Sequence, residues 1–596
     1  MTTTATGSVE PTLDTSLVVP EEIEHIRRVI ADYRTGRIDG DAFRRFRLQN
    51  GIYGIRDRVD IHMVRIRIPF GRLTATQLEG LAVVAEHYAG GTGHITTRQN
   101  IQLYGIPLHR VADLLGDLGE IGLTTRESSG NVVRNVTTDP LAGVAPDEVF
   151  DVRPYANAVV RLLLRNPIAQ NLPRKIKIAF SGSAADRAAT GIHDIGALAV
   201  LREAQRGFQL FLGGGLGSNP HAAQRLEDFT PEADLLPTIE AVIRVFDRLG
   251  ERKIRSKARL KFLIDQIGFE TLRTLVLQER AALPLLQPQP YPAVAVNAEQ
   301  IGWITRPAPA AAFTGNHHLF ENGNAAAFQV WLSNNVIWQK QPDYAAVAVA
   351  VPGGNLTAFR FNALAAIARQ FAQGEIFWTA AQNLLLRWVS WSDLPNLYQA
   401  LRDIGLEAAG SDRLWNVIGC AGADTCNTAI TTSHQLALEL GRFLHARPDL
   451  SLADDLRGVD IKISGCPNAC GHHHVAAIGF YGGARRVNGQ QPSHYMLLLG
   501  GRILTGSAVF GTPVTSIPAR RVPEAVERVL ALYRAGRCDV AETFLAWVDR
   551  VGPASLKNQF EDLRSLPDPD TASKLYQDWG QTTTFKLQVK EAECAV

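Results

Sequence analysis

Residues 68–123 overlie residues 351–406 at a constant offset of 283, without a gap and with nineteen of fifty-six positions identical. Thr96, Gln99 and Asn100 meet Thr379, Gln382 and Asn383, and Pro69, Gly71 and Thr74 meet Pro352, Gly354 and Thr357. Unrelated segments of ordinary composition would share about four positions, so the chain is internally duplicated. The echo persists beyond the module: Ser181-Gly182 meets Ser464-Gly465, and Ile195-Gly196 meets Ile478-Gly479. Repeats this long are halves of one fold, longer than solenoid units.

Each copy reads strand, helix, strand, helix. Val64 to Pro69 alternates like a strand. Thr74 to Ala89 has helical spacing, with Thr74 and Gln77 placed as a capping box. His94 to Tyr104 reads as a strand and His109 to Glu120 as a helix. The expected fold is therefore α/β (α+β), with two half modules about a pseudo-two-fold axis joined to larger α/β domains.

Differences between the copies locate the chemistry. Arg65, Arg67 and Arg98 of the first copy meet Ala348, Ala350 and Ala381 of the second, whereas the first copy has no cysteine. Four of the six cysteines lie together as Cys420-x5-Cys426 and Cys466-x3-Cys470. One side of a pseudo-dyad then offers cations and the other thiolates, which suits one shared site. Zinc half-sites usually place two to four residues between ligands, so a five-residue gap is loose for a single ion. A cubane of iron and sulfide is wider and takes four thiolates at its corners. Zinc and unrelated buried thiols stay open as alternatives, while disulfides suit neither the chain's length nor its lack of secretory features. Cys538 and Cys594 stand alone.

Formal net charge is only +2, so no global field argues for nucleic acid or an anionic membrane. The N-terminus lacks the basic start and apolar run of a signal peptide, and Glu10 and Asp14 fit a transit peptide poorly. With no apolar run long enough to span a bilayer, the expectation is a cytoplasmic protein. Residues 1 to about 20 read as a loose arm, and Glu21 to Arg47 as two amphipathic helices broken at Gly40.

Basic residues recur at strand and loop positions of the first half: Arg98, Arg134, Lys175 and Lys177. Such groups hold small oxyanions, although Lys and Arg are mostly solvent-exposed. Arg255 to Lys261 alternates like a strand and carries Lys257, Arg259 and Lys261. Gly213 to Gly217 follows an apolar run, but no third glycine or later acid completes a dinucleotide fingerprint. A glycine loop allowing close backbone approach to a cofactor is the better reading. His472, His473 and His474 follow Cys470 so closely that packing around the metal site is preferred to ligation or proton shuttling. Pro284 to Tyr344 reads as an extended connector, and the tail beyond Gly552 is uninformative.

Cys-x5-Cys followed by Cys-x3-Cys-Gly, with Pro467-Asn468 inside the second pair, resembles the signature of the siroheme and [4Fe-4S] sulfite and nitrite reductases. Thr-Thr-Arg98-Gln, Val-Arg134-Asn and Leu-Pro-Arg-Lys175-Ile-Lys177 resemble that family's substrate-pocket segments. The resemblance implies two ferredoxin-like half modules and two siroheme/Fe-S binding α/β domains. Its divisions would be a helical arm at 1–60, half modules at 61–124 and 343–407, and larger domains at 125–290 and 408–550. A connector at 291–342 and a tail at 551–596 complete the chain.

The cofactors implied are siroheme and a [4Fe-4S] cluster on Cys420, Cys426, Cys466 and Cys470, with Cys470 bridging cluster and siroheme iron. Arg98, Arg134, Lys175 and Lys177 would hold the anion. Arg65, Arg67, Gln99, Lys257, Arg259 and Lys261 would serve the carboxylate-rich siroheme. Nitrite-reducing members tend to have asparagine where this chain has Lys177, which leans toward sulfite. The activity implied is six-electron reduction of sulfite to sulfide in assimilatory sulfur metabolism, with a ferredoxin or a separate flavoprotein as donor. Nitrite reduction to ammonia is the rival reaction, and a non-catalytic metal-binding protein the rival of another class.

Overall fold

The computed structural model describes residues 13–286, 291, 324–588 and 590. Two helices come first, Pro20–Arg34 and Gly40–Gln49. The Asp39 carboxylate accepts from the backbone N–H of Asp41 and Ala42, so Gly40 opens the second helix under a cap. The described part of the expected loose arm is docked: Asp14 pairs with Arg161, and Leu17 O accepts from Arg165 Nη2 at 3.0 Å. Residues 1–12 lie outside the described residues.

The duplication is a structural register. Helices Ala75–Tyr88 and Ala358–Phe371 keep the offset of 283, as do strands Thr92–Ile95 and Glu375–Trp378 and strands Ile101–Pro107 and Leu384–Ser390. Thr74 caps the first helix in the expected capping box with Gln77. The shared Thr-x-x-Gln-Asn motif builds a turn. Asn100 Oδ1 accepts from Ile68 N and Asn383 Oδ1 from Val351 N, at 3.1 and 3.0 Å. Gln99 and Gln382 both take left-handed φ, 57° and 61°. The stretch His94 to Tyr104 is therefore two strands, because this turn interrupts the run at Thr96–Asn100.

The half modules exchange strands. Asn355–Thr357 completes the sheet of the first half by pairing with Thr92–Ile95, and Arg72–Thr74 completes that of the second by pairing with Glu375–Trp378. Glycine permits both crossings. A Cβ on Gly71 (φ +73°) would lie 2.5 Å from Trp378 O, and one on Gly354 (φ +70°) 2.9 Å from Ile95 O. The two duplicated helices pack on each other, and one apolar core, including Leu78, Leu81, Phe361 and Leu364, runs through both modules. Each such side chain contributes roughly 1.5–3 kcal/mol by burial.

Two five-stranded sheets form the larger domains with matching topology. In one, Thr137–Thr138, Ile178–Ser181 and Ile195–Arg202 run parallel, and Gln205–Leu212 and Gln224–Pro231 return antiparallel. In the other, Ile418–Gly419, Ile461–Ser464 and Ile478–Ala484 run parallel, followed by Ser493–Leu499 and Thr512–Pro518.

Two further expectations change. Arg255–Lys257 is a 3₁₀ turn and Leu260–Ile267 a helix, so the basic stretch forms no strand. Leu260 and Lys261 are both buried at the start of that helix. Most of the proposed connector lies outside the described residues, but Asn324–Asn335 is a helix whose Phe328 and Trp331 are buried, because it closes the second half module.

Candidate active site

Cys420 follows strand Ile418–Gly419, and Cys466 and Cys470 follow strand Ile461–Ser464. These strands are parallel neighbours, so both cysteine loops leave the same carboxyl edge of one sheet. Cys420 Sγ accepts from Gly465 N at 3.2 Å and lies 3.2 Å from Ser433 Oγ; Cys426 Sγ lies 3.3 Å from Thr428 Oγ1. A Cβ on Gly471 would lie 2.0 Å from Ile463 O, which makes glycine obligatory after Cys470.

All four thiols are free of disulfides. Burial, and then the neighbouring Cys470, push Cys420 up to about 11 and raise Cys426 and Cys466 as well. The sulfurs thus share one electrostatic site that disfavours bare thiolates, and iron would relieve that cost. Among the described residues no three His, Cys, Asp or Glu side chains converge as a single metal ion requires.

The first half supplies the cations. Its three predicted segments meet: Thr97 Oγ1 donates to Cys470 O at 3.0 Å, Arg98 Nη2 donates to Asn135 O, and Arg134 N donates to Ile176 O at 2.9 Å. Burial and then Arg134 lower Arg98 to about 9, and its buried Nε makes no hydrogen bond. Lys177 is driven well below the usual lysine range by burial first, then by Arg98, Lys175 and Arg259, while Cys470 opposes. Lys175 and Lys177 are both half-buried.

The remaining predicted residues hold the walls. Arg134 donates to Ser128 O and Gly130 O at 2.8–3.1 Å, fixing the loop beside it. Gln99 spends its amide on Thr138. Arg67 is fully buried near Glu127 and donates to Arg134 O, with burial lowering it to about 10. Arg65 stacks on Tyr53 and donates to its hydroxyl at 2.6 Å. Lys261 Nζ donates to carbonyls of the glycine loop at Gly215, Leu216 and Asn219, and burial lowers it to about 8. Lys257 is exposed.

Gly213–Gly217 follows strand Gln205–Leu212 without entering a helix. His473 lies 2.8 Å from Ser464 Oγ, which also accepts from Gly471 N, and so packs the Cys470 turn, whereas His474 lies 2.8 Å from Gly217 O and packs the glycine loop. Burial first, and then Lys177 and Lys462, hold His472 far below the usual imidazole range.

Sequence reasoning missed Asp194 and His193. Asp194 binds Arg259 and receives the Lys177 N–H at 2.8 Å. His193 is buried against Arg98 and Lys177, with Nδ1 2.8 Å from Ala189 O. A signal existed: at the repeat offset they meet Ala476 and Ala477, the same charged-to-alanine contrast that marked Arg98.

A thiolate site and a buried cationic pocket, joined at the seam of a duplicated α/β fold, define an oxidoreductase that handles a small anion with metal cofactors. The model of the nitrite and sulphite reductase 4Fe-4S domain matches residues 129–285 and 410–565. That of the nitrite/sulfite reductase ferredoxin-like half domain matches residues 53–121 and 337–404. A ferredoxin–nitrite reductase of Synechococcus elongatus is 30% identical over 477 residues, 78% of this chain and 85% of the relative. A sulfite reductase [ferredoxin] 1 of Mycolicibacterium paratuberculosis is 30% identical over 503 residues, 83% of each. The solved structure of Mycobacterium tuberculosis NirA protein superposes with a TM-score of 0.75 at 26% identity, covering 92% of this chain and 98% of that one.

The chain belongs to the nitrite and sulfite reductase family, and its cofactors are siroheme and a [4Fe-4S] cluster. The residues present fit both groups: four free thiols in one charge-coupled site, and buried cations with an unpartnered guanidinium Nε beside it. No helix of the described residues is long and apolar enough to cross a membrane.

Proposed function

We propose that the protein reduces sulfite to sulfide, taking six electrons one at a time from a ferredoxin. The observation that carries this reading is the pair Arg98 and Lys177: two desolvated cations, with no hydrogen-bond partner for the Lys177 ammonium among the described residues. Such a pair is matched by a doubly charged anion better than by nitrite. When bound, the cluster and siroheme supply the electrons and the iron that receives the anion.

The chain's own residues do the rest. Cys420, Cys426, Cys466 and Cys470 would hold the cluster, and Arg65 would serve siroheme carboxylates. Arg98 and Lys177 orient the anion's oxygens and stabilise the charge that grows as sulfur–oxygen bonds break. The Lys177 ammonium, easily deprotonated in this setting, hands on a proton. The thiols free of disulfides suit a reducing compartment such as the cytoplasm.

Steady-state turnover with each anion tests the assignment. Sulfite is expected to give the higher kcat/KM, and Lys177→Asn to move the preference toward nitrite. A higher kcat/KM for nitrite in the unmodified protein would overturn it.

A further inference from the structure

The segment after the family match, which ends at residue 565, reaches back across the chain to the loop that carries Cys420 and Cys426. We propose that Gln577 to Gln588 is a strap that positions this loop, with Asp578 as its inner clasp and Arg56 as its outer one. The inference rests on the reading of the four thiols as cluster ligands.

At the inner end Asp578, buried to 2 % exposure, accepts from Thr432 N at 2.9 Å through one carboxylate oxygen and from Trp579 N at 2.9 Å through the other. Thr432 Oγ1 donates back to Trp579 O at 2.7 Å. The strap is itself anchored there: Trp579 Nε1 donates to Ala519 O at 2.8 Å, and Arg520 lies over the indole and donates to Asp578 O. Burying a carboxylate is costly unless its lone pairs are filled, so Asp578 holds whatever fills them.

The outer end grips the same loop from its other side. Arg56 N donates to Thr425 O at 3.0 Å, its Nη1 to Ala429 O at 2.7 Å and its Nη2 to Gln588 O at 2.6 Å, while Lys590 pairs with Asp57. Between the clasps the strap folds on itself, with Gln577 paired to Thr584 and Phe585 N donating to Tyr576 O. Residues 425–432, which have little regular structure of their own, are thus tied at both ends by distant chain. A tied loop keeps its thiolates in place when a metal bond opens, because the entropy released by letting go is small.

The test compares the purified holoprotein with a chain ending at Tyr576, with Asp578→Ala, and with Asp578→Asn, which keeps an acceptor for Thr432 N–H. Iron content and visible absorbance are followed in air with EDTA, beside the thermal midpoint. The truncated chain and Asp578→Ala are expected to lose cluster iron at least fivefold faster than the unmodified protein, and Asp578→Asn to return within about twofold of it. Loss at the unmodified rate in both Asp578→Ala and the truncated chain would overturn the strap. Should the truncated chain not fold, the ratio between Asp578→Ala and Asp578→Asn decides alone: equal rates overturn the proposal. Absence of iron from the unmodified protein would instead overturn the cluster reading beneath it.

Discussion

Asp194 grips Arg259 with both carboxylate oxygens, Nη2 lying 2.8 Å from each and Nε 3.0 Å from one, inside a site where Asp194 has no solvent exposure. The same carboxylate takes the Lys177 N–H, and Asp194 O takes the Gly213 N–H at 3.0 Å. One residue thereby ties the segment that carries Lys177, the glycine loop and the turn that carries Arg259. Removing one partner of such a buried pair costs about 3–5 kcal/mol. Asp194→Asn should therefore lower the unfolding midpoint and raise the sulfite KM. In a double-mutant cycle with Arg259→Gln the two losses should fall short of additive, which chemical denaturation and steady-state kinetics both read.

Lys177 makes anion affinity depend on pH. Burial, then Arg98, depress its pKa, so it loses its proton at a lower pH than an ordinary lysine. The protonated form binds the anion. Expressed per sulfite dianion, which removes the protonation of sulfite itself to bisulfite, affinity should hold at the acid end and fall as pH rises through the depressed value; Lys177→Met should abolish that limb. The pH profile of the sulfite dissociation constant, read by visible titration, checks it.

The parts legible in the sequence were those written twice. The offset of 283 carried the helices, whereas the Thr-x-x-Gln-Asn turn, whose hydrogen bonds recur in both copies, was hidden inside a run that reads as one strand. The cysteine spacing and the three basic segments pointed to one site. Period alone misread Arg255 to Lys261, because a basic run with alternate burial also describes a turn feeding a helix. The roles of Arg134, Gln99 and Lys261 as donors to loop carbonyls were hidden for another reason: their partners are backbone atoms, which leave no mark in a sequence. The exchanged strands were equally silent, since three-residue strands pair the same way with either copy.

Acid should loosen the seam between the half modules. Burial, then His94, hold His434 down at about 3, and its Nε2 lies 3.0 Å from the Asn355 amide, whose Oδ1 lies 2.9 Å from His94 Nδ1. The unfolded chain binds this proton near pH 6.5 and the folded chain only near pH 3. Stability is therefore full above pH 6.5 and drains as pH falls toward 3. Thermal midpoints at pH 7 and pH 5 should differ, and His434→Gln should shrink the difference.

Gly71→Ala should be costly out of proportion to one methyl group. Its Cβ would meet Trp378 O at 2.5 Å, and φ +73° is unfavourable for alanine. Strain of that kind costs roughly 1–3 kcal/mol. Gly90→Ala, at φ +60° with open space around its Cβ, should cost less. Urea denaturation of the two variants separates the clash from the backbone term.

Because each half module's sheet is finished by three residues lent from the other, neither copy owns a complete fold. A polypeptide cut between the copies would leave two fragments with a raw sheet edge apiece, each the natural complement of its sister and a poor partner for itself. The duplication is in this sense indivisible: two copies can be told apart in the sequence, but each borrows part of its sheet from the other.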